Sequence, residues 1–467
     1  ADVQSGWSMA ATPTVVFTTP VVTSGTAVWD AGDSTLAITT SSADMAEGTA
    51  HVLTISEVRT PSSVVSEQGS VTVRTYDSAR SVVDESSSVL ASATIAGSLT
   101  GTMAFTTATD TPGVLQLATV SFTTGGRVMV GGKVLLQMPV VAGAQSGWDF
   151  EAAPAISFST PSFNVSSGAA VFESAARRLN VTVGSHAMVQ GAAHVFTVAN
   201  TRTPSSVCDA SSVDISTTDS KGGVIDGAAA AATEAIQAGA LLALSFATAA
   251  DTPGVTSLAT LSFTTAGRVQ AGGKVLVSVP EHKEQPQAGF SFEAPTALCS
   301  LPVDGAPSVV SAAYSSPLLK ITISGAAMAQ AVAHAFTISN TRNPSSAVAA
   351  ASMAVSTQDS SSGIVDGPSN AATDRIEQGV LSTTPKFSMG IGTPGTRSVA
   401  SLSFTTAGQV LVGGRIVLVM PVLSSVQSGW SFESPSVVFT TPAGATRPTA
   451  SIAVSVGASS TTLTLTV

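Results

Sequence analysis

Short runs in which apolar and polar residues alternate are the dominant pattern of this 467-residue chain. One such run precedes each FTT sequence and is seen three times: Ala118, Val120 and Phe122; Ala259, Leu261 and Phe263; Ala400, Leu402 and Phe404. A second follows each Gly-Gly pair: Val134, Leu136 and Met138; Val275, Val277 and Val279; Ile416, Leu418 and Met420. Strict alternation is typical of antiparallel strands with one buried face. The chain is therefore predicted to consist of such strands.

The runs recur because the whole sequence is periodic. A motif reading QSGWSMAATPTVVFTTP begins at Gln4, and its relatives begin at Gln145, Gln287 and Gln427. The spacings are 145 − 4 = 141, 287 − 145 = 142 and 427 − 287 = 140 residues. A fixed period indicates tandem structural units. We predict repeats at 1–144, 145–286 and 287–426, with an incomplete fourth at 427–467.

Each period contains about seven to nine strand-like runs, which predicts an all-β, immunoglobulin-like antiparallel β-sandwich for each repeat. The stretches beginning at Gly227 and Gly367 are rich in alanine and polar residues, and each is predicted to hold a short surface helix. The last run, Leu463, Leu465 and Val467, matches an opening strand of the first repeat. We expect either further chain or strands donated by a neighbouring molecule to complete that sandwich.

Composition argues against several classes of function. Charged residues make up 10% of the chain, and the net charge is −10. Nucleic-acid binding needs a basic face, which this sequence lacks. The apolar runs are too short to predict a membrane span. The cysteines, Cys208 and Cys299, have no metal-ligand spacing, so we expect two buried thiols or a single bridge.

A histidine and an arginine recur at fixed positions of the repeat. His51, His194 and His334 each begin an apolar strand pattern, which favours a structural histidine in the core. Arg59, Arg202 and Arg342 precede a Pro-Ser-Ser turn, where an arginine caps loop carbonyls, pairs with a carboxylate or contacts the next repeat. No serine or cysteine nucleophile recurs at a suitable spacing from the histidines. The sequence therefore predicts a protein that is not an enzyme.

Pairs of aspartates seven residues apart also recur in each repeat. They are Asp77 and Asp84, Asp219 and Asp226, and Asp359 and Asp366. Two carboxylates with nearby loop carbonyls can bind calcium, although aspartate also favours turns for its own hydrogen bonds. Calcium is the one cofactor that the sequence suggests.

The motif at each repeat start carries an aromatic residue: Trp7, Trp148, Phe290 and Trp430. We predict that these side chains fill the seam at repeat junctions, with stacking on a sugar as the alternative. Asn164 and Asn180 lie in N-glycosylation sequons, and Asn180 is expected to face outward from its strand.

The complete repeat pattern, with GW, TRTPSS, TDS, TPG, FTTAG and AGGK in order, resembles the long repeats of large surface proteins of microalgae and other protists. That resemblance implies secretion, glycosylation and end-to-end assembly, as in flagellar hairs. The linkers between repeats are too short for free rotation. Our first expectation is a subunit of an extracellular filament or coat that self-associates, and the alternative is an adhesin or a glycan-binding repeat protein.

Overall fold

The chain forms β-strands and no helix among the residues described here. The computed structural model describes residues 4–19, 25–41, 43–160, 169–280, 287–302, 307–421, 429–440, 449–456 and 460–467. They divide into two compact units, Ala1–Gln237 and Ala238–Val467. No helix capable of crossing a membrane occurs in the described residues.

In its described residues, the first unit contains sixteen strands. An N-terminal segment holds β1 (Val15–Thr19), β2 (Thr26–Asp30), β3 (Thr35–Thr39), β4 (Val52–Ile55), β5 (Gln68–Tyr76) and β6 (Val82–Ala91). A complete sandwich follows, with β7 (Thr100–Thr107), β8 (Leu115–Thr123), β9 (Lys133–Gln137), β10 (Asp149–Phe150), β11 (Ile156–Thr160), β12 (Ala170–Glu173), β13 (Arg178–Thr182), β14 (Ala193–Arg202), β15 (Ser212–Thr218) and β16 (Val224–Ala232).

The second unit begins with a second complete sandwich. Its strands are β17 (Leu242–Thr248), β18 (Thr256–Thr264), β19 (Lys274–Ser278), β20 (Ser291–Phe292), β21 (Ala297–Leu301), β22 (Ser308–Ser315), β23 (Leu318–Ser324), β24 (Ala333–Arg342), β25 (Ser352–Gln358) and β26 (Ile364–Ala372). A C-terminal segment follows, with β27 (Ser382–Met389), β28 (Ala400–Thr405), β29 (Arg415–Pro421), β30 (Ser451–Val456) and β31 (Ser460–Thr466).

Both complete sandwiches have two sheets with the same strand order. In the second, one sheet runs β17-β18-β24, with β20 and β21 on the far edge of β24, and the other runs β22-β23-β19-β25-β26. The first sandwich repeats this order, with one parallel bridge joining β16 to β7. Every pairing within the sheets of the second sandwich is antiparallel. The expected all-β, immunoglobulin-like antiparallel sandwich is confirmed.

The alternating residues form the cores. Val120 of β8 and Phe196 of β14 on one sheet, and Leu136 of β9 and Ile215 of β15 on the other, have no exposed surface and belong to one cluster. The second sandwich buries the corresponding residues in the same way. Alternation along a strand thus predicted which face is buried.

Each complete sandwich combines strands from two successive sequence periods. In the first, β7–β9 precede residue 144 and β10–β16 follow it, and one core extends from Leu99 to Ile236. The second core extends from Leu241 to Ile376, across residue 286. The numbered repeats 1–144, 145–286, 287–426 and 427–467 remain a prediction about the sequence period.

The two predicted surface helices are wrong. Gly227 and Gly367 lie within β16 and β26, which pair antiparallel with β15 and β25. Ala231 and Ala371 are buried in the respective cores. Alanine has the highest intrinsic helix propensity, but strand pairing and side-chain burial outweigh this local preference here.

Candidate functional site: the junctions between terminal segments and sandwiches

The recurring glutamine of the QSG motif links the N-terminal segment to the first sandwich, and the second sandwich to the C-terminal segment. Gln4 Nε2 donates a hydrogen bond to the carbonyl oxygen of Val130 at 2.8 Å. In the second unit, Gln287 Nε2 donates to the carbonyl oxygen of Val412, also at 2.8 Å. The two glutamines are 283 residues apart and the two valines 282, which is two sequence periods in each case. The same contact is therefore built twice.

In the first unit, Asp219 reinforces this junction. Its carboxylate accepts hydrogen bonds from the backbone amide of Gln4 and from the Ser62 hydroxyl, each at 3.1 Å. The amides of Lys221 and Gly223, in its own loop, donate at 2.9 and 2.8 Å. Burial by itself raises the pKa of Asp219, but hydrogen bonds from Ser63, Gln4, Gly223 and Ser62 outweigh burial and lower it. The recurring Pro-Ser-Ser turn and the recurring aspartate thus meet at the junction.

Arg342 performs the corresponding role in the second unit. Its guanidinium donates to the carbonyl of Gly254 in the TPG turn at 3.1 Å and to Glu293 at 2.9 Å. It also donates to Gln409 Oε1, in the C-terminal segment, at 2.9 Å. Both roles expected for the arginine, a local cap and a contact with the following repeat, are met by this one side chain. In the first sandwich, Arg202 binds the Gly113 carbonyl at 2.7 Å.

The TPG glycine at this junction has a left-handed backbone and a close neighbour. Gly254 has φ of 65°, and a Cβ built there would lie 2.8 Å from the Gln409 carbonyl oxygen. Gly395, in the next copy of the turn, has φ of 73° and no atom within 4 Å of a built Cβ.

We therefore expect Gly254→Ala to separate the C-terminal segment from the second sandwich, whereas Gly395→Ala has only the backbone cost, about 1 kcal/mol. Faster amide hydrogen exchange around Gln409 and Val412 in the first variant alone would support this. Equal exchange in the two variants would contradict it.

The aspartate pairs are bound by protein donors. Asp226 accepts from the Thr217 hydroxyl at 2.7 Å and the Gly126 amide at 2.8 Å, and it is fully buried. Asp366 accepts from Thr357 at 3.1 Å and from Gly267 at 2.9 Å.

The remaining predicted calcium ligands also accept local hydrogen bonds. Asp77 accepts from the amide of Ser81, Asp84 from the Thr75 hydroxyl, and Asp359 from the amide of Gly363. Among the described residues, no group of three or more His, Cys, Asp or Glu side chains lies together. The carboxylates thus accept hydrogen bonds within the protein, and calcium binding stays a prediction.

The recurring aromatic residue packs on a partner from the preceding sequence period. Trp148 is 6% exposed and meets Phe105 edge to face, with ring centroids 5.2 Å apart. Phe290 and Phe246 repeat this contact at 6.0 Å. In the C-terminal segment the corresponding Trp430 meets Phe387 at 5.7 Å and is 37% exposed. Trp7 is exposed. The buried copies lie inside single sandwiches.

His194 and His334 are buried in the cores beside Phe122 and Phe263. Burial lowers the pKa of both rings because it penalises the charged form. At these two histidines, the unfolded chain then binds more protons than the fold as pH falls below about 6.5.

We expect the contribution of each histidine to the stability of its sandwich to be lost as pH falls from about 6.5 towards the lowered pKa of that histidine. His334→Leu should weaken this loss in the second sandwich, because no ring remains to be protonated on unfolding. Denaturant unfolding at a series of pH values measures it. The control Ile338→Val should lower stability evenly at every pH, and an unchanged slope in His334→Leu would contradict the prediction.

The remaining predicted sites lie away from the junctions. Asn180 lies in β13, between β12 and β9, where it is half-buried and its Nδ2 donates to Glu173 at 2.7 Å. Asn164 lies outside the described residues, so glycosylation stays a prediction. Cys208 and Cys299 are free thiols whose pKa values are raised by burial.

A groove lies at the junction in the first unit. It has a volume of about 820 Å³, and its lining includes Ser8, Glu57, Arg59, Arg127 and Gln190. Arg59 and Arg127 are both exposed, so an anionic group entering the groove meets two guanidinium groups.

The fold thus defines a protein with two complete antiparallel β-sandwiches, one after the other in the sequence. No protein-family model matches the sequence, and a search of curated proteins finds no match. Among solved structures, the chain is similar to the serine-rich repeat protein Srr2 of Streptococcus agalactiae, with 8% identity over 55% of this chain and 84% of that chain and a TM-score of 0.18.

Two further solved structures have similarly low sequence identities and TM-scores. A type II cohesin dyad from the ScaA scaffoldin of Acetivibrio cellulolyticus has 11% identity over 59% of this chain and 98% of that chain, with a TM-score of 0.17. The C-terminal domain of the Streptococcus pyogenes antigen I/II-family protein AspA has 6% identity over 67% and 98%, with a TM-score of 0.20. TM-scores this low carry no inference about function.

Proposed function

We propose that this chain is a non-enzymatic structural protein of an extracellular filament or surface coat, built from β-sandwiches stacked end to end. The observation that carries the proposal is the repeated junction, in which Gln4 and Gln287 make the same 2.8 Å contact two periods apart. Recurring polar residues, among them Asp219 and Arg342, also hold a terminal segment against its neighbouring sandwich. A chain whose repeated polar residues hold neighbours together is suited to forming a stiff array.

Negative-stain electron microscopy of the purified protein tests this function. Fibres whose axial repeat is a multiple of the length of one sandwich are expected. Short monodisperse particles at every concentration would contradict the filament role. A parallel sample with a calcium chelator tests for bound calcium, because loss of fibres would indicate that calcium is needed for assembly and would support the aspartate pairs as its ligands.

The groove in the first unit favours a second candidate function, a surface adhesin that binds acidic glycans. Arg59 and Arg127 supply donors for carboxylate or sulfate groups. Heparin at low salt is a suitable probe. Binding that Arg59→Ala and Arg127→Ala each weaken would support the adhesin function, whereas binding that both variants retain would exclude this groove.

A further inference from the structure

A cleft opens at one end of the first complete sandwich, where three loops meet. These are the loops that follow β9, β14 and β16, and every described residue that lines the cleft belongs to them or to the start of β10. The cleft has a volume of about 580 Å³, which is within the range of pockets that hold small organic ligands. Its walls are therefore part of a complete sandwich.

The buried lining residues form an apolar floor that is anchored in the core. Trp148 and Ile236 belong to the core cluster, and Val141 and Cys208 pack against it. The backbones of Cys208 and Ile236 pair with each other, with amide-to-carbonyl distances of 3.2 and 2.8 Å. Because this pairing joins the loop after β14 to the loop after β16, the floor is formed before any ligand binds.

The exposed lining residues include three polar side chains, Asp209, Ser211 and Gln237. Within the described part of the chain, these three side chains make no hydrogen bond or ion pair. Burial raises the pKa of the Cys208 thiol, and the Asp209 carboxylate raises it further, so this carboxylate lies near the floor. The rim thus offers donors and acceptors that the fold leaves unused.

The second complete sandwich has the same backbone at this place but different side chains. The equivalents of Cys208 and Ile236 form the same backbone pairing there. By sequence period, alanine occupies two of the three rim positions: Ala349 in place of Asp209, and Ala351 in place of Ser211. The fold therefore does not need these polar groups, and of the two complete sandwiches only the first carries them.

Hydroxyl, amide and carboxylate groups above an apolar floor suit a neutral sugar. The C–H groups on the faces of a pyranose ring favour an apolar surface, and the hydroxyl groups around its edge donate and accept hydrogen bonds. A purely apolar ligand would desolvate the Asp209 carboxylate without giving it a partner. An anionic ligand would be repelled by Asp209, since no lysine or arginine is among the described lining residues.

We propose that this cleft binds one neutral sugar residue of a glycan, with Asp209, Ser211 and Gln237 as its hydrogen-bonding partners and Trp148 in the floor. This site goes beyond the filament function, because all of its described residues belong to one sandwich and no assembly is needed to form it. It also differs from the groove that contains Arg59 and Arg127, whose charge favours acidic glycans.

Saturation-transfer NMR on the full chain tests the proposal, with methyl α-mannopyranoside, methyl β-galactopyranoside and N-acetylglucosamine as separate probes. We expect at least one probe to bind, and the double variant Asp209→Ala with Ser211→Ala to bind it about tenfold more weakly. This variant should fold normally, because both side chains are exposed and the second sandwich has alanine at the same positions.

The matched control is Asp214→Ala, which removes another exposed carboxylate of the same sandwich that does not line the cleft. Its affinity for the sugar should equal that of the natural chain. Absence of binding for all three probes would overturn the inference, and so would equal binding by the natural chain and the double variant.

The thiol of Cys208 gives an independent test of where the sugar binds. In a chain carrying Cys299→Ser, a saturating concentration of the bound probe should slow alkylation of Cys208 by iodoacetamide several-fold. In the converse chain, Cys208→Ser, the remaining Cys299 is buried in the other sandwich and should react at the same rate with or without sugar. An unchanged rate at Cys208 would overturn the inference. Equal protection by Nα-acetyl-lysine amide would also overturn it, because the cleft would then select a cation.

Discussion

Replacing Trp148 with alanine is expected to lower the free energy of unfolding of the first sandwich by about 3–5 kcal/mol. The indole ring is 6% exposed and packs edge to face on Phe105, which is fully buried. Alanine leaves a cavity between strands that come from two sequence periods, and the surrounding sheets are too rigid to close it. Urea unfolding with local hydrogen exchange assigns the loss to this sandwich.

The chain contains its own controls for that result. Trp148→Phe should cost less than about 1.5 kcal/mol, because Phe290 fills the same place against Phe246 in the second sandwich. Trp430→Ala should have a small effect in the unassembled protein, since this ring is 37% exposed. A loss as large for Trp430→Ala as for Trp148→Ala would show that burial in a complete sandwich is not the cause.

The alternation of apolar residues predicted the core well, because the two faces of a strand differ only in what covers them. Ala118, Val120 and Phe122 are all buried as that pattern requires. It could not predict where one sandwich ends. A period of about 141 residues fixes the length of the repeat and not its starting point. The partner of Trp148, Phe105, lies on the other side of the predicted boundary.

The polar motifs are visible in the sequence, but the contacts that their side chains make are not. Recurrence identified Gln4, Arg342 and Asp219 as repeated positions, yet only the folded chain places them against a neighbouring sandwich or segment. The helix error at Gly227 has a related cause. A run of alanines has no alternation of apolar and polar residues, so the sequence does not indicate a strand there. Pairing with β15 makes this segment a strand.

Asp366→Ala is expected to lower the free energy of unfolding of the second sandwich by about 2–5 kcal/mol, because it leaves the buried Gly267 amide and Thr357 hydroxyl without their acceptor. Asp226→Ala should do the same in the first sandwich. Asp84→Ala is the matched control. It removes the equivalent threonine bond at 2.9 Å from an exposed hairpin and should cost less than about 1 kcal/mol. Equal losses in the buried and exposed variants would contradict this account.

Titration of Asp366 also makes the stability of the second sandwich depend on pH. Burial raises the pKa of its carboxyl from 3.8 to about 6, so the fold favours the protonated form. This contribution to stability is fully present below about pH 4 and is lost as pH rises through 6, by roughly 3 kcal/mol at about 1.4 kcal/mol per pKa unit. Asp366→Asn keeps the acceptor for the Gly267 amide and has no proton to lose. The unfolding free energy of the natural chain, measured relative to this variant, should therefore fall between pH 4 and 6, and a constant difference across that range would mean that the buried carboxyl keeps its ordinary pKa.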